Sequence, residues 1–284
     1  SFIIRGLYKL TNSPTRSRHE VIVLTDSPCQ IDQHDDHIVL TITRPARLNA
    51  ITGEVLDHLT DCIEQLEQQS GNRGLIITGS GERAFCAGTD LFEREGLSED
   101  EIRTKSDRAR NLLVRLHRAP FISIAALNGL AYGGGLELAL ACVFRIAAPH
   151  VTCSLPEVKI GLIPAYAGTQ LLPAVVGPSR ALDMMLTGRA VASDEALMMG
   201  LINRIANNEA PLLNQAVDYL ASINQYSKIA INSIRECAAA ARPPLSNEGL
   251  ALERYHVIEV GKSEDAAEGV AAFREKRPAV FKHR

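Results

Sequence analysis

The stretch Asn128-Gly-Leu-Ala-Tyr-Gly-Gly-Gly-Leu-Glu137 decides how this chain is read. Three consecutive glycines, Gly133 to Gly135, open a helical pattern that carries Glu137 just inside its start. At a helix opening the first backbone N–H groups have no intrahelical acceptor, and the macrodipole favours negative charge. Such an opening can hold an oxyanion. Twenty positions further on, Ser154-Leu-Pro-Glu157 supplies a second carboxylate. Pro156 biases Leu155 toward extended geometry, so Glu157 is expected to leave a strand end, on the floor of a pocket. Together the two read as an acid/base pair. Taken singly, each has an ordinary reading, Glu137 as a first-turn helix glutamate and Glu157 as a surface acid. The glycine triplet alone could be a tight turn.

Outward from this stretch, helix and strand patterns alternate. Two β-rich runs, Glu20 to Thr25 and His37 to Arg44, flank the polar segment Asp26 to Asp36 and read as a hairpin. Apolar residues at Val55, Leu59, Ile63 and Leu66 mark an amphipathic helix, followed by the strand Gly74 to Thr78. Ser98-x-x-Glu101 is a capping box at the head of a helix carrying Ile102, Leu112, Leu113 and Leu116, and the strand Phe121 to Ala126 follows. After the helix at Gly135 come the strand Phe144 to Ala147 and helices over Thr169–Val176, Arg180–Leu186 and Asp194–Met199, the last stopped by Gly200. From about Asn208 the pattern is helical only, over Ala210–Ile223, Ser227–Ala241 and Asn247–Val260. No sequence repeat is visible.

Composition narrows the function classes. Hydrophobic residues are 46% of the 284 and charged residues 22%, enough apolar surface for one large core with a helical appendage. A net charge of −3, with 13 Phe and Tyr and no Trp, offers no footprint for nucleic acid. The longest apolar run, around Ile122 to Ala131, is bounded by Pro120 and Gly133 and falls short of the roughly 18 residues a membrane span needs. Six cysteines without a C-x-x-C pair suit a reducing compartment. Cys86 reads as a small apolar filler, not a nucleophile, since no base is placed beside it. His34 and His37 lack a third placed ligand and read as a solvated turn, so no metal is expected. Residues 1–19 hold Arg5, Lys9, Arg16 and Arg18 and no acid, the composition of an organellar transit segment. The cytoplasm is the expected location, with the mitochondrial matrix as the alternative.

Arg44-Pro-Ala-Arg-Leu-Asn-Ala-Ile51, Ala84-Phe-Cys-Ala-Gly-Thr-Asp-Leu91 and the Asn128–Glu137 stretch together resemble the crotonase superfamily, and within it the enoyl-CoA hydratases. The resemblance continues through Leu155–Pro164, Gly168-Thr-Gln170, Leu186-Thr-Gly-Arg-Ala190 and Glu268–Pro278, in family order. It implies an α/β fold, a crotonase-like spiral of repeated ββα units over 20–207, followed by a C-terminal helical trimerisation and lid region over 208–284.

The resemblance also implies the chemistry. The family binds acyl-CoA thioesters and passes through an enolate, whose oxygen needs preorganised donors. By motif position these are the backbone N–H groups of Thr89 and Gly134. Syn addition of water to trans-2-enoyl-CoA, giving 3-hydroxyacyl-CoA, needs a base to activate water and an acid to protonate C2. Glu137 is assigned mainly to the first task and Glu157 mainly to the second. CoA is expected along Ala46, Arg47 and Leu48 and the loop carrying Ala87, Gly88, Asp90 and Leu91. Gly133 and Pro156 belong to the same substrate and CoA site, and Phe273 and Lys282 complete the CoA site from the tail. Asp90 orders its loop. No cofactor is implied beyond the CoA carried by the substrate, and the assembly implied is a homotrimer or a hexamer of paired trimers.

Two features depart from the hydratase pattern. Thr89 stands where the family often has Ala or Gly, and its hydroxyl has no role that the sequence explains. Ala165-Tyr166-Ala167-Gly168 replaces a glycine-rich run, which bears on acyl length and water placement. An enoyl-CoA isomerase or another crotonase-type acyl-CoA enzyme is the enzymatic alternative, and the 165–167 departure motivates a catalytically silent acyl-CoA-binding homologue as a further one.

Overall fold

Strand β1 (Cys29–Gln33) runs antiparallel to β2 (His37–Ile42) in a computed structural model of the chain. The structure describes residues 27–68, 74–94, 96–241 and 247–282. The basic segment 1–19 and the expected strand Glu20–Thr25 lie outside the described residues. The hairpin partner of β2 thus falls inside the segment read as a polar connection. Cys29 and Ile31 turn inward to the core while Gln30 is exposed, and the polar Gln33 on the same face as Cys29 and Ile31 hides that alternation in the sequence. His37, read as part of a solvated turn, is buried at the head of β2, stacked on His34 with its Nδ1 2.6 Å from Asp36 Oδ1.

Helix α1 (Gly53–Gln68) forms on its expected spacing and buries Val55, Leu59, Ile63 and Leu66. Strands β3 (Gly74–Gly79) and β4 (Ala84–Cys86) lead to α2 (Glu99–Arg118), whose capping box closes with Ser98 Oγ accepting from Glu101 N–H and Glu101 Oε2 accepting from Ser98 N–H. Strands β5 (Ile122–Leu127) and β6 (Leu130–Tyr132) precede α3 (Gly134–Ala141). Strands β7 (Phe144–Ala147) and β8 (Thr152–Ser154) precede a single 3-10 turn (Glu157–Ile160) and α4 (Gly168–Val176). Three times, then, a strand of one sheet is followed by a three-residue strand of a second and by helical structure.

Among the described residues the first sheet has the order β1-β2-β3-β5-β7-β10, with β10 at Arg204–Ile205, and is parallel from β2 onward. The second pairs β4, β6 and β8 in parallel and ends on β9 at Val191–Ala192. Both β3 and β5 are buried along their whole length, as central strands of a two-sided parallel sheet must be. Between β8 and the tail come α5 (Pro178–Thr187), β9 (Val191–Ala192), α6 (Ser193–Met198) and β10 (Arg204–Ile205).

The tail consists of α7 (Leu212–Asn224), α8 (Lys228–Ala241), α9 (Asn247–Gly261) and α10 (Glu264–Glu275). Helix α7 covers the outer face of the first sheet through Ala216 and Leu220, which share a core cluster with Val39, Ile76 and Ile124. Helix α10, which the sequence reading did not separate, packs on the 3-10 turn. A Cβ on Gly269 would stand 2.3 Å from Ile160 O, so only glycine allows that approach. No helix among the described residues is long and apolar enough to cross a membrane.

Candidate active site

A cavity of about 340 Å³ lies where the ends of β4, β6 and β8 meet α3, the 3-10 turn and α10. Its walls include Ala87, Gly88, Thr89, Asp90 and Leu91 from the loop after β4, and Gly133, Gly134 and Glu137 from the start of α3. Pro156, Glu157 and Phe273 complete it. Eleven of the fifteen residues singled out from the sequence therefore meet around one space. The other four do not line it: Ala46 and Arg47 are exposed in the turn before α1, with Leu48 half-buried beside them, and Lys282 is exposed near Glu264 and Glu268. The Arg47 guanidinium stacks over Phe92 at 5.0 Å.

The loop after β4 is set by backbone contacts and one ion pair. Ile51 N–H donates to Gly88 O at 2.8 Å and Asp90 N–H to Ile51 O at 3.0 Å. Asp90 Oδ2 accepts from Arg44 Nη2 at 2.9 Å while its Oδ1 accepts from Phe92 N–H, which is the ordering role expected of it. Gly88 has φ +97°, and a Cβ there would stand 2.9 Å from Gly134 N. This close approach brings the Thr89 and Gly134 amides to one side of the cavity. A Cβ on Gly134 would be 3.5 Å from Thr89 N. Among the described residues no backbone carbonyl accepts from either amide. Two side-chain amides hold the platform underneath: Asn49 Nδ2 and Asn128 Nδ2 both donate to Ala84 O, at 2.7 and 3.0 Å.

Glu137 is 1% exposed. Its Oε1 accepts two backbone N–H groups, Tyr166 and Gly168, each at 2.7 Å. Burial raises its pKa well above the ordinary carboxylate value, the charges of Glu157 and Glu253 raise it further, and the two amides act the other way. Behind it, Arg145 donates to Ala139 O and Cys142 O and so supplies the carbonyls at the C-terminal end of α3 with a buried cation.

Glu157 does not leave a strand end as expected. It is the first residue of the 3-10 turn, three positions past the end of β8, because Pro156 (φ −90°, ψ 11°) caps that turn and does not prolong the strand. The residue as a whole is half-buried, but its Oε2 is enclosed and has no hydrogen-bond partner among the described residues. Burial pushes its pKa up to about 7, with Glu253 adding to the rise. A buried carboxyl oxygen without a partner is costly as an anion, so a proton on it is favoured.

Two contributors were not legible as such in the sequence. Glu253 on α9 is 3% exposed and accepts from Ala167 N–H at 3.0 Å and Thr169 N–H at 3.2 Å. It is one of three glutamates on α9, followed directly by Arg254, with no local signal setting it apart. Tyr166, noted only as a departure, packs its ring over Gly134 and bonds Thr89 Oγ1 through its hydroxyl. Cys86 is buried, and burial pushes its thiol up to about 12, the state of a packing residue. No group of three or more His, Cys, Asp or Glu that could hold a metal occurs among the described residues.

The family model described as enoyl-CoA hydratase/isomerase matches residues 34–284. The chain belongs to that family. As an enoyl-CoA hydratase/isomerase family member it is an enzyme of the crotonase type, in a family that acts on acyl-CoA thioesters. It is 39% identical over 245 residues to a "Probable enoyl-CoA hydratase" of Bacillus subtilis, covering 86% of this chain and 94% of that one. An enoyl-CoA isomerase/hydratase of Zymoseptoria tritici is 36% identical over 260 residues, with 87% and 83% covered. The crystal structure of carnitinyl-CoA hydratase from Mycobacterium avium is similar at a TM-score of 0.79 and 30% identity, covering 92% of this chain and 100% of that one. The crotonase-like spiral expected from the sequence is the fold of this family member.

Proposed function

We propose that this family member hydrates trans-2-enoyl-CoA thioesters by syn addition of water, giving 3-hydroxyacyl-CoA. The observation that carries the reading is the meeting of two carboxylates, Glu137 and Glu157, in one cavity beside the Thr89 and Gly134 amides, from which no backbone carbonyl among the described residues accepts. The thioester oxygen sits against those two N–H groups, which take up the negative charge as the enolate forms. Glu137, aimed by two backbone donors, accepts a proton from water while the water oxygen bonds to C3. Glu157, whose enclosed oxygen favours a proton, delivers it to C2. The protons come off the pair as a unit, so base and acid label the direction of flow in hydration.

The reaction needs no cofactor beyond the CoA that the substrate brings. CoA runs along the 46–48 turn and the 87–91 loop toward Phe273, which lines the cavity, and Lys282, which lies outside it. Assembly into trimers or paired trimers is part of the same proposal. It is supported by the exposed apolar side chains Ile229 and Ile234 on α8 and Leu182 and Leu186 on α5. The cytoplasm is the proposed location.

The test is hydration of crotonyl-CoA and longer enoyl-CoAs, followed in wild type and in Glu137→Gln and Glu157→Gln. Each substitution is expected to lower kcat by a factor on the order of 10² to 10⁴ with a small change in KM. Full activity in either variant would refute the assignment. Migration of the double bond in D2O with deuterium at carbon and no 3-hydroxy product would select the isomerase instead.

A further inference from the structure

Four consecutive amides at the head of α4 alternate between two carboxylates. Tyr166 and Gly168 donate to Glu137 Oε1, while Ala167 and Thr169 donate to Glu253, 84 to 86 residues later in the chain. The Thr169 hydroxyl makes a further short bond to Glu253 Oε2. We propose that Glu253 is a positioning residue for Glu137: from α9 it clamps the 166–169 segment so that the alternate amides stay aimed at the reacting carboxylate. The proposal rests on the function proposed above for what Glu137 does, and on geometry alone for the clamp.

Three features favour a dedicated clamp over incidental packing. Three donors converge on Glu253, a number that a carboxylate can accept and a glutamine cannot without turning its own N–H toward one of them. Ala167 has φ +78°, a left-handed conformation that an L-residue with a Cβ adopts only when its surroundings hold it, and its N–H is bonded to Glu253. Glu253 is also buried near two other acids, so burial raises its pKa, and the donors from Thr169 and Ala167 act the other way by bonding its carboxylate oxygens. The charged groups around the cluster are Glu137 from α3, Glu157 from the 3-10 turn and Arg110 from α2, which is ion-paired with Asp107 and acts only against part of the rise that burial imposes on Glu253.

The test combines one readout that needs no substrate with one that does. Hydrogen–deuterium exchange of the full chain, resolved on peptides spanning 163–171, is expected to speed up in Glu253→Gln while peptides from β3 and β5 exchange as in wild type. Unchanged exchange at 163–171 would overturn the clamp, whatever the enzyme does. In the assay, Glu253→Gln is expected to lower kcat on the order of 10²-fold with little change in KM, as a misplaced group does. The same substitution should have little further effect in a Glu137→Gln background, because it acts through that carboxylate. Full additivity of the two losses would make Glu253 merely structural and overturn the proposal. Glu253→Asp, which keeps the charge and withdraws it by one methylene, carries the same exchange readout should the glutamine variant fail to fold. A wild type that hydrates no enoyl-CoA would defeat the proposed function, and the exchange result would still decide the clamp.

Discussion

The Thr89 hydroxyl donates to Tyr166 Oη at 2.7 Å, so the two features by which this chain departs from the hydratase pattern are in contact. The bond ties the loop after β4 to the segment before α4. With the Tyr166 ring so close that a Cβ on Gly134 would meet it at 2.9 Å, the pair forms one wall of the cavity next to the Thr89 and Gly134 amides. A hydroxyl without evident purpose in the sequence is thus explained by a tyrosine 77 positions away.

Removing either hydroxyl should loosen that wall. Thr89→Ala and Tyr166→Phe are each expected to cost about 1 kcal/mol, and the double variant little more than one of them. Urea unfolding of the four proteins measures the coupling, and strict additivity would show that the bond contributes nothing.

Tyr166→Ala should instead widen the cavity. The ratio of kcat/KM for longer or branched enoyl-CoAs to that for crotonyl-CoA is expected to rise about 10-fold or more, the scale on which a pocket discriminates a methylene. A substrate panel reads the ratio directly, and an unchanged ratio would remove Tyr166 from chain selection.

Gly88 holds the two amides together, since its φ of +97° and the 2.9 Å between a built Cβ and Gly134 N exclude a side chain. Gly88→Ala is expected to lower kcat on the order of 10²- to 10³-fold, as the loss of one oxyanion donor does. Circular dichroism and the activity of the refolded protein separate this from unfolding. Near-wild-type kcat would mean that Thr89 N–H is not a donor in the reaction.

Stability should fall as pH rises between about 4.5 and about 7, the span over which burial raises Glu157. In that window the native state holds a proton that the unfolded chain has lost, so raising the pH favours unfolding; below it, the contribution is fully present. Glu137, also raised by burial, acts in the same direction. Thermal unfolding of Glu157→Gln is expected to show a flatter dependence on pH than wild type through this window. An identical dependence would place the Glu157 proton elsewhere.

Thiol chemistry gives a simple check of the packing. Of the six cysteines only Cys237 is exposed, and burial pushes Cys29, Cys62, Cys86, Cys142 and Cys153 up to about 12. A thiol reagent at neutral pH should modify one cysteine quickly in the native protein and all six after denaturation. Rapid labelling of Cys86 would revive it as a reactive group.

Local chemistry explains what could be read early. Helices α1 and α2 show their apolar spacing, and the α2 start shows its capping box, because both signals are complete within a few residues. Strands β4, β6 and β8 are three residues each, too short for any period to register, and exist because neighbouring strands pair with them. The ββα repeat is therefore plain in space and absent from the sequence. Glu157 shows the limit of a local rule: the bias of Pro156 reaches back to Leu155 alone, and past the proline the chain starts a turn that Gly269 of α10 packs against.

Taken alone, the sequence named groups that meet around the cavity: the Gly133–Gly135 helix opening and the Glu137 and Glu157 pair through residue type and near-neighbour backbone preference, and the Thr89 loop through its resemblance to the family. Tertiary structure decided how they are held. The Thr89–Tyr166 bond, the Glu253 clamp and the approach of Gly88 to Gly134 join residues tens of positions apart. Contacts of that range are set by the packing of whole elements, and no short stretch of chain contains them.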